Sequence, residues 1–88
     1  MNEKRFRDYL LKTNHTENSI NSRIAKVKKL EDIFKIDMDE IANRKEQVIK
    51  LLIKIRDTGI EERRHTPFSN AVRKYYESIT NDSIGRIF

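Results

Sequence analysis

The chain has 88 residues, and its 19 Lys and Arg against 14 Asp and Glu give a net charge of +5, which favours polyanionic partners. A domain of this length buries only about 60–65% of the surface that its unfolded chain exposes, which leaves little room for a deep catalytic pocket. The lack of cysteine excludes disulfides and thiolate sites. The charged N-terminal segment and the absence of a long apolar run predict neither a signal peptide nor a membrane span, so we expect a cytoplasmic protein.

Residues 3–12 are predicted to form the first helix, with Phe6, Tyr9 and Leu10 on one face and Leu11 beside them. Residues 13–15 break this pattern and are predicted to form a loop. Thr16 then opens a second helix, whose apolar residues recur every third or fourth position. This predicted buried stripe consists of Ile20, Ile24, Val27, Leu30 and Phe34.

The second helix also carries a basic face. Ser22, Lys26 and Lys29 point away from the apolar stripe, and Arg23 lies at its boundary. The segment from Ile20 to Leu30 contains positive charges but no acidic residue. The local charge is therefore more basic than the net charge of the chain suggests.

A short third helix is predicted to start at Asp37, with Asp39 and Glu40 in its first turn. We interpret the three carboxylates as matched to the helix dipole, because they lack the glycine turn and distal glutamate of a calcium loop. The fourth helix runs from Lys45 to Asp57 and is apolar around more than half of its circumference, which predicts a position at the centre of the bundle. Gly59 is predicted to end it in the left-handed conformation.

Residues 60–65 form a charged connector to the fifth helix, where the Thr66 hydroxyl is the predicted N-cap and Pro67 occupies the first turn. The predicted apolar stripe of this helix consists of Phe68, Ala71, Val72, Tyr75, Tyr76 and Ile79. Its polar face carries Asn70, Arg73, Lys74 and Glu77. The final segment has an apolar tail, Ile84, Ile87 and Phe88, that could pack on the core or against a protein partner.

We predict an all-α fold, a compact bundle of four to five short helices, because no strand-like alternation occurs. One domain spans residues 1–88, with its core in residues 3–80 and the short apolar tail in residues 81–88. The two histidines, His15 and His65, fall in predicted loops without partners for a catalytic triad or a metal site. Tyr75 and Tyr76 lie in the middle and at the edge of the apolar stripe, so we predict that they pack in the core and do not act as nucleophiles. We therefore expect no enzyme activity and no cofactor.

The order of these elements resembles the core-binding, SAM-like N-terminal domain of the tyrosine recombinases, the phage-integrase family. The segments that carry the resemblance over residues 3–80 are F-R-D-Y-L, TENSINSRIAKVKKLEDIF and NAVRKYYESI. The family's catalytic domain has no counterpart here. The resemblance therefore implies a DNA-binding module from a phage or mobile element that cannot cut or rejoin DNA. It is either a fragment of a larger protein or a free-standing domain that has kept only the binding half.

In that family, the starts and outer faces of the second and last helices approach the DNA backbone and the major groove. The matching positions in this chain, together with Lys29 from the basic face, give a predicted DNA-binding set. It consists of Thr16, Ser19, Ser22, Arg23, Lys26, Lys29, Arg63, Arg64, His65, Asn70, Arg73 and Lys74.

Two other hypotheses stay open at this point. The chain could be a small phage or mobile-element protein that inhibits or regulates a protein partner, with the apolar tail as anchor. It could also be a structural domain whose charges serve solubility alone. DNA binding predicts an affinity that falls steeply with salt, whereas a complex on apolar anchors tolerates salt.

Overall fold

Five α-helices account for most of the chain in a computed structural model, which describes residues 1–62 and 64–84. No strand occurs within these residues, so the predicted all-α bundle is confirmed. The helices are α1 (Glu3–Lys12), α2 (Glu17–Phe34), α3 (Met38–Ile41), α4 (Lys45–Thr58) and α5 (Pro67–Thr80).

Two of the helix ends predicted from sequence are confirmed. The Thr16 hydroxyl accepts a hydrogen bond from the backbone nitrogen of Ser19 at 3.2 Å and so caps α2. Gly59 ends α4 with a φ of 69°, which glycine adopts without the steric cost that other residues meet. Lys35 and Asn81 end α2 and α5 in the same left-handed conformation, and neither was predicted to do so.

The start of α5 differs from the prediction. Thr66 occupies the N-cap position, but its hydroxyl makes no capping hydrogen bond. The Glu61 carboxylate instead accepts hydrogen bonds from the backbone nitrogens of Phe68 at 2.8 Å and Ser69 at 3.2 Å, and from the Ser69 hydroxyl. The Glu61 carboxylate accepts from all three donors, and its negative charge matches the positive end of the helix dipole, whereas a threonine hydroxyl carries no charge.

The centre of the bundle is α5, so the prediction that α4 is central is wrong. Helix α5 packs against α1, α2 and α4, whereas α4 packs chiefly against α5 and the short α3. Phe6 and Tyr75 meet edge to face inside the core, with ring centroids 5.1 Å apart. The apolar residues of α4 do extend around the helix, but Ile53 stays 42% exposed.

One hydrophobic cluster forms the core, and it includes the predicted stripes of α2 and α5. Ile84 is also buried against this cluster, at 7% exposure, so packing on the core is confirmed for that tail residue. The other two tail residues, Ile87 and Phe88, lie outside the described residues. The largest fully buried side chains are Tyr75, Phe6, Leu10, Ile20, Leu30, Met38, Leu52, Ile55, Val27, Val48 and Val72.

A polar network crosses one end of this core. The Tyr75 hydroxyl donates to the Asp39 carboxylate and accepts from the backbone nitrogen of Asn2 at 2.6 Å. The nitrogen of Met1 forms an ion pair with Glu31 at 2.9 Å. Because Tyr75 is buried and bonded to Asp39, the pKa of its hydroxyl is raised above the usual 10.0. The network joins the segment before α1 to α2, α3 and α5.

Candidate nucleic-acid interface

The two flanks of α2 have different surroundings. On one flank, Arg7 of α1 donates to the Asn21 side chain at 3.0 Å, and Lys28 forms an ion pair with Glu3. An α-helix has about 3.6 residues per turn, so Ser19 lies on nearly the opposite side of the helix from these contacts. We call this opposite side the outer flank of α2. It consists of Ser19, Ser22, Arg23, Lys26 and Lys29.

Serine hydroxyls hold two of the cations on the outer flank. A guanidinium nitrogen of Arg23 donates to Ser19 Oγ at 2.5 Å, and the Lys26 ammonium donates to Ser22 Oγ at 2.7 Å. Each pair is separated by four residues, which places the two side chains next to each other on the helix surface. These contacts order the cations without neutralising them, since a hydroxyl carries no charge.

The positive charges of the outer flank have no counter-charge in the described part of the chain. Arg23, Lys26 and Lys29 form no ion pair with any carboxylate of residues 1–62 and 64–84. By contrast, the neighbouring Lys28 is paired with Glu3, and the hydrogen bond with Lys28 lowers the pKa of the Glu3 carboxyl. The outer flank is thus a locally positive surface.

Arg23 has a further unsatisfied group. Its Nε atom is buried and has no hydrogen-bond partner among the described residues. A partly buried cation without a counter-charge has lost part of its hydration, and a bound anion restores that stabilisation. Arg23 is therefore a partly desolvated cation with no ionic partner among the described residues.

The predicted DNA-binding residues in and before α5 differ from one another in exposure. Arg64, His65 and Asn70 are exposed, and Arg73 is half-buried. Arg63 lies outside the described residues. The start of α5 offers no free backbone nitrogen at Phe68, because the Glu61 carboxylate already occupies that position. An anion at this end would have to be bound by side chains.

Lys74 is the predicted site residue whose charge is compensated. Its ammonium lies 3.2 Å from a Glu77 carboxylate oxygen, and the same oxygen accepts a hydrogen bond from the Tyr9 hydroxyl at 2.9 Å. Burial and the bond to Glu77 together raise the pKa of Tyr9. The three side chains connect α5 to α1, so Lys74 has a structural partner that the Lys and Arg residues of the outer flank do not have.

A second set of cations lines a shallow groove between α1 and the end of α5. Lys4 and Lys12 are exposed there, but Asp8 lies between them along the helix surface. Arg5, in the same groove, is committed to α5, since its Nε donates to the Ser78 carbonyl at 3.1 Å. This groove therefore combines both charge signs.

The two histidines lie outside the five helices. Both lie in loops, as predicted; His15 Nδ1 is 2.9 Å from the Thr13 hydroxyl, and His65 is exposed. Asp37, predicted to match the helix dipole, accepts a hydrogen bond from the Asp39 backbone nitrogen at the start of α3. Among the residues that can be described, no three acidic or histidine side chains are grouped to hold a metal ion. No described helix is long and apolar enough to cross a membrane.

No protein-family model, curated protein or solved structure matches the chain. The resemblance to the core-binding domain of tyrosine recombinases therefore stays a prediction that is based on the sequence pattern alone.

Proposed function

We propose that the protein is a non-catalytic DNA-binding module that contacts the phosphate backbone through the outer flank of α2. The observation that carries this proposal is a set of three cations, Arg23, Lys26 and Lys29, which have no ion-pair partner among residues 1–62 and 64–84 and lie beside two serine hydroxyls. Lys, Arg and Ser side chains are the usual partners of DNA phosphates. Neutralising phosphates with such cations releases condensed counter-ions, which supplies the binding free energy.

The side chains around the start of α5 extend this surface in the proposal. Arg64 and His65 add positive or ionisable groups, and the exposed Asn70 could donate to and accept from a base edge in the major groove. The Thr16 hydroxyl oxygen, at the start of α2, accepts the cap bond from Ser19, and its O–H can still donate to a phosphate. Lys74 contributes least, because Glu77 already compensates its charge.

Titration of a fluorescently labelled random duplex of about 20 base pairs, followed by anisotropy at low and at moderate salt, tests this function. If the three outer-flank cations each neutralise one phosphate, log K should fall with log salt with a slope of about −2 to −3. No binding even at low salt would contradict the proposal. If the duplex binds, selection from a random library would identify any preferred DNA sequence.

One observation favours a protein partner as the second candidate function. Ile33, on α2 near Lys29, is 43% exposed and could anchor an apolar contact. The tail anchor expected for this alternative is weakened, because Ile84 is buried in the core. Regulation of a protein partner through Ile33 predicts a complex that persists at moderate salt and is lost in Ile33→Asp, whereas DNA binding predicts salt sensitivity.

A further inference from the structure

One flank of α4 presents an alternating ridge of charged and apolar side chains. Lys45, Ile49, Ile53 and Asp57 follow each other at intervals of four residues and so form one row along the helix surface. Lys45 and Asp57 are exposed, Ile49 is half-buried, and Ile53 is 42% exposed. The row is positive at its N-terminal end, apolar in the middle and negative at its C-terminal end.

This order makes the ridge complementary to itself in the reverse direction. If a second copy of α4 lies antiparallel to the first, Lys45 meets Asp57 of the second copy, and Ile49 meets Ile53 of the second copy. Each contact then occurs twice, as a two-fold axis requires. Rows of side chains spaced by four residues pack side by side in the commonest class of helix contact.

The residues beside the ridge follow the same relation. Glu46 and Arg56 are equally far from the midpoint between Ile49 and Ile53, so they also face each other across the two-fold axis. Arg56 already has an interaction within its own chain. Its guanidinium has five N–H donors and can serve a second acceptor.

We propose that α4 forms an antiparallel, two-fold contact with a second copy of this chain through Lys45, Ile49, Ile53 and Asp57. The exposed isoleucine of α2 does not support such a contact, because Ile33 lies on the helix side that carries Lys26 and Lys29, and two copies of that side repel. The contact does not depend on DNA binding, since it uses α4 and not the outer flank of α2.

The small area of this contact predicts a weak dimer. One helix against one helix buries less than the roughly 1,200 Å² of the smallest stable interfaces. We therefore expect a dissociation constant of the order of 100 μM, which corresponds to a transient association.

Sedimentation equilibrium between about 10 μM and 1 mM protein tests the dimer. The average mass should rise with concentration for the wild type, and Ile53→Asp should weaken association by about tenfold or more. Ile33→Asp is the matched control, because the two isoleucines are 42% and 43% exposed, and it should leave association unchanged. A wild type that stays monomeric at 1 mM, or an equal effect of both variants, would overturn the proposal.

Charge reversal tests the direction of the helices. Lys45→Asp alone places two carboxylates opposite each other in the dimer, and Asp57→Lys alone places two ammonium groups there, so each variant should associate several-fold more weakly than the wild type. An equimolar mixture of the two variants restores both attractive pairs and should recover wild-type association. Failure of the mixture to associate better than either variant alone would exclude the antiparallel register.

Discussion

The charged side chains around α5 and those on the outer flank of α2 differ in their partners. Around α5, the Glu61 carboxylate accepts hydrogen bonds from two backbone nitrogens at the start of the helix. Arg5 donates a hydrogen bond to the Ser78 carbonyl near its end, and Lys74 forms an ion pair with Glu77. On the outer flank, Arg23 and Lys26 donate to serine hydroxyls and form no ion pair within the described part of the chain. The difference teaches that the net charge of a small basic domain does not show where uncompensated charge lies. The partners of each charged side chain within the fold do show it.

This comparison predicts two kinds of variant. Replacing a paired group around α5 should lower stability, because a buried or capping hydrogen bond loses one partner. Replacing Lys29, the exposed cation of the outer flank, should lower DNA affinity and leave stability nearly unchanged, since substitutions of exposed residues usually alter the free energy of unfolding by less than about 0.5 kcal/mol.

The largest stability effect is expected at the connector. Glu61→Ala removes the carboxylate that caps α5 and should destabilise the fold by about 1–2 kcal/mol, because losing a helix cap has a cost of this size. Glu62→Ala is the matched control, since Glu62 is exposed and forms no ion pair with the described residues. Urea unfolding followed by circular dichroism measures both. Equal midpoints for the two variants would show that the cap does not hold α5.

The network at Tyr75 predicts a dependence on alkaline pH. Burial, helped by the bond to Asp39, raises the pKa of Tyr75 above its unfolded value of 10.0, so the stabilisation from its protonated hydroxyl is complete below pH 10 and falls as the pH rises further. In Tyr75→Phe this loss is absent. The wild type should be more stable than Tyr75→Phe by about 1 kcal/mol at pH 8. Urea midpoints measured at several pH values would show that advantage shrinking above pH 10, by up to about 1.4 kcal/mol per pH unit. A constant difference across this range would contradict the account.

The smallest effect is expected at Lys74. Lys74→Ala removes an ion pair that is partly exposed, so the free energy of unfolding should fall by less than about 1 kcal/mol. Its affinity for duplex DNA should fall less than that of Lys26→Ala, because Glu77 holds the Lys74 ammonium and leaves it less available to a phosphate. Lys26→Ala, which removes an unpaired charge, is the comparison for this affinity. If Lys74→Ala weakened DNA binding as much as Lys26→Ala does, pairing would not distinguish the two regions.

Much of the fold could be predicted from local sequence patterns. The spacing of apolar residues identified all five helices, and the caps at Thr16 and Gly59 depend on neighbouring residues only. The central position of α5 could not be predicted in this way. The length of an apolar stripe does not reveal which helix has neighbours on three sides, and Ile53 of the strongly apolar α4 remains exposed.

The candidate site was predicted in part. The predicted set contained Arg23, Lys26 and Lys29 and omitted Lys28, but the ion pair of Lys28 could not be predicted, because its partner Glu3 lies on another helix. The cap at Glu61 was missed because it lies in a connector, eight residues before Ser69. The compensation of Lys74 had a local signal, since Glu77 follows it by three residues on the same helix.

The most direct test of the outer flank compares two double variants that lose the same charge. Lys26→Ala with Lys29→Ala removes two outer-flank cations, and Lys4→Ala with Lys12→Ala removes two exposed cations from the groove beside α1. Both are titrated against the labelled random duplex at low and moderate salt. We predict that the outer-flank variant loses affinity and that its salt slope shrinks by about 2, whereas the groove variant binds nearly as the wild type does. Equal losses in the two variants would show that binding follows net charge and would contradict the assignment of the outer flank as the interface.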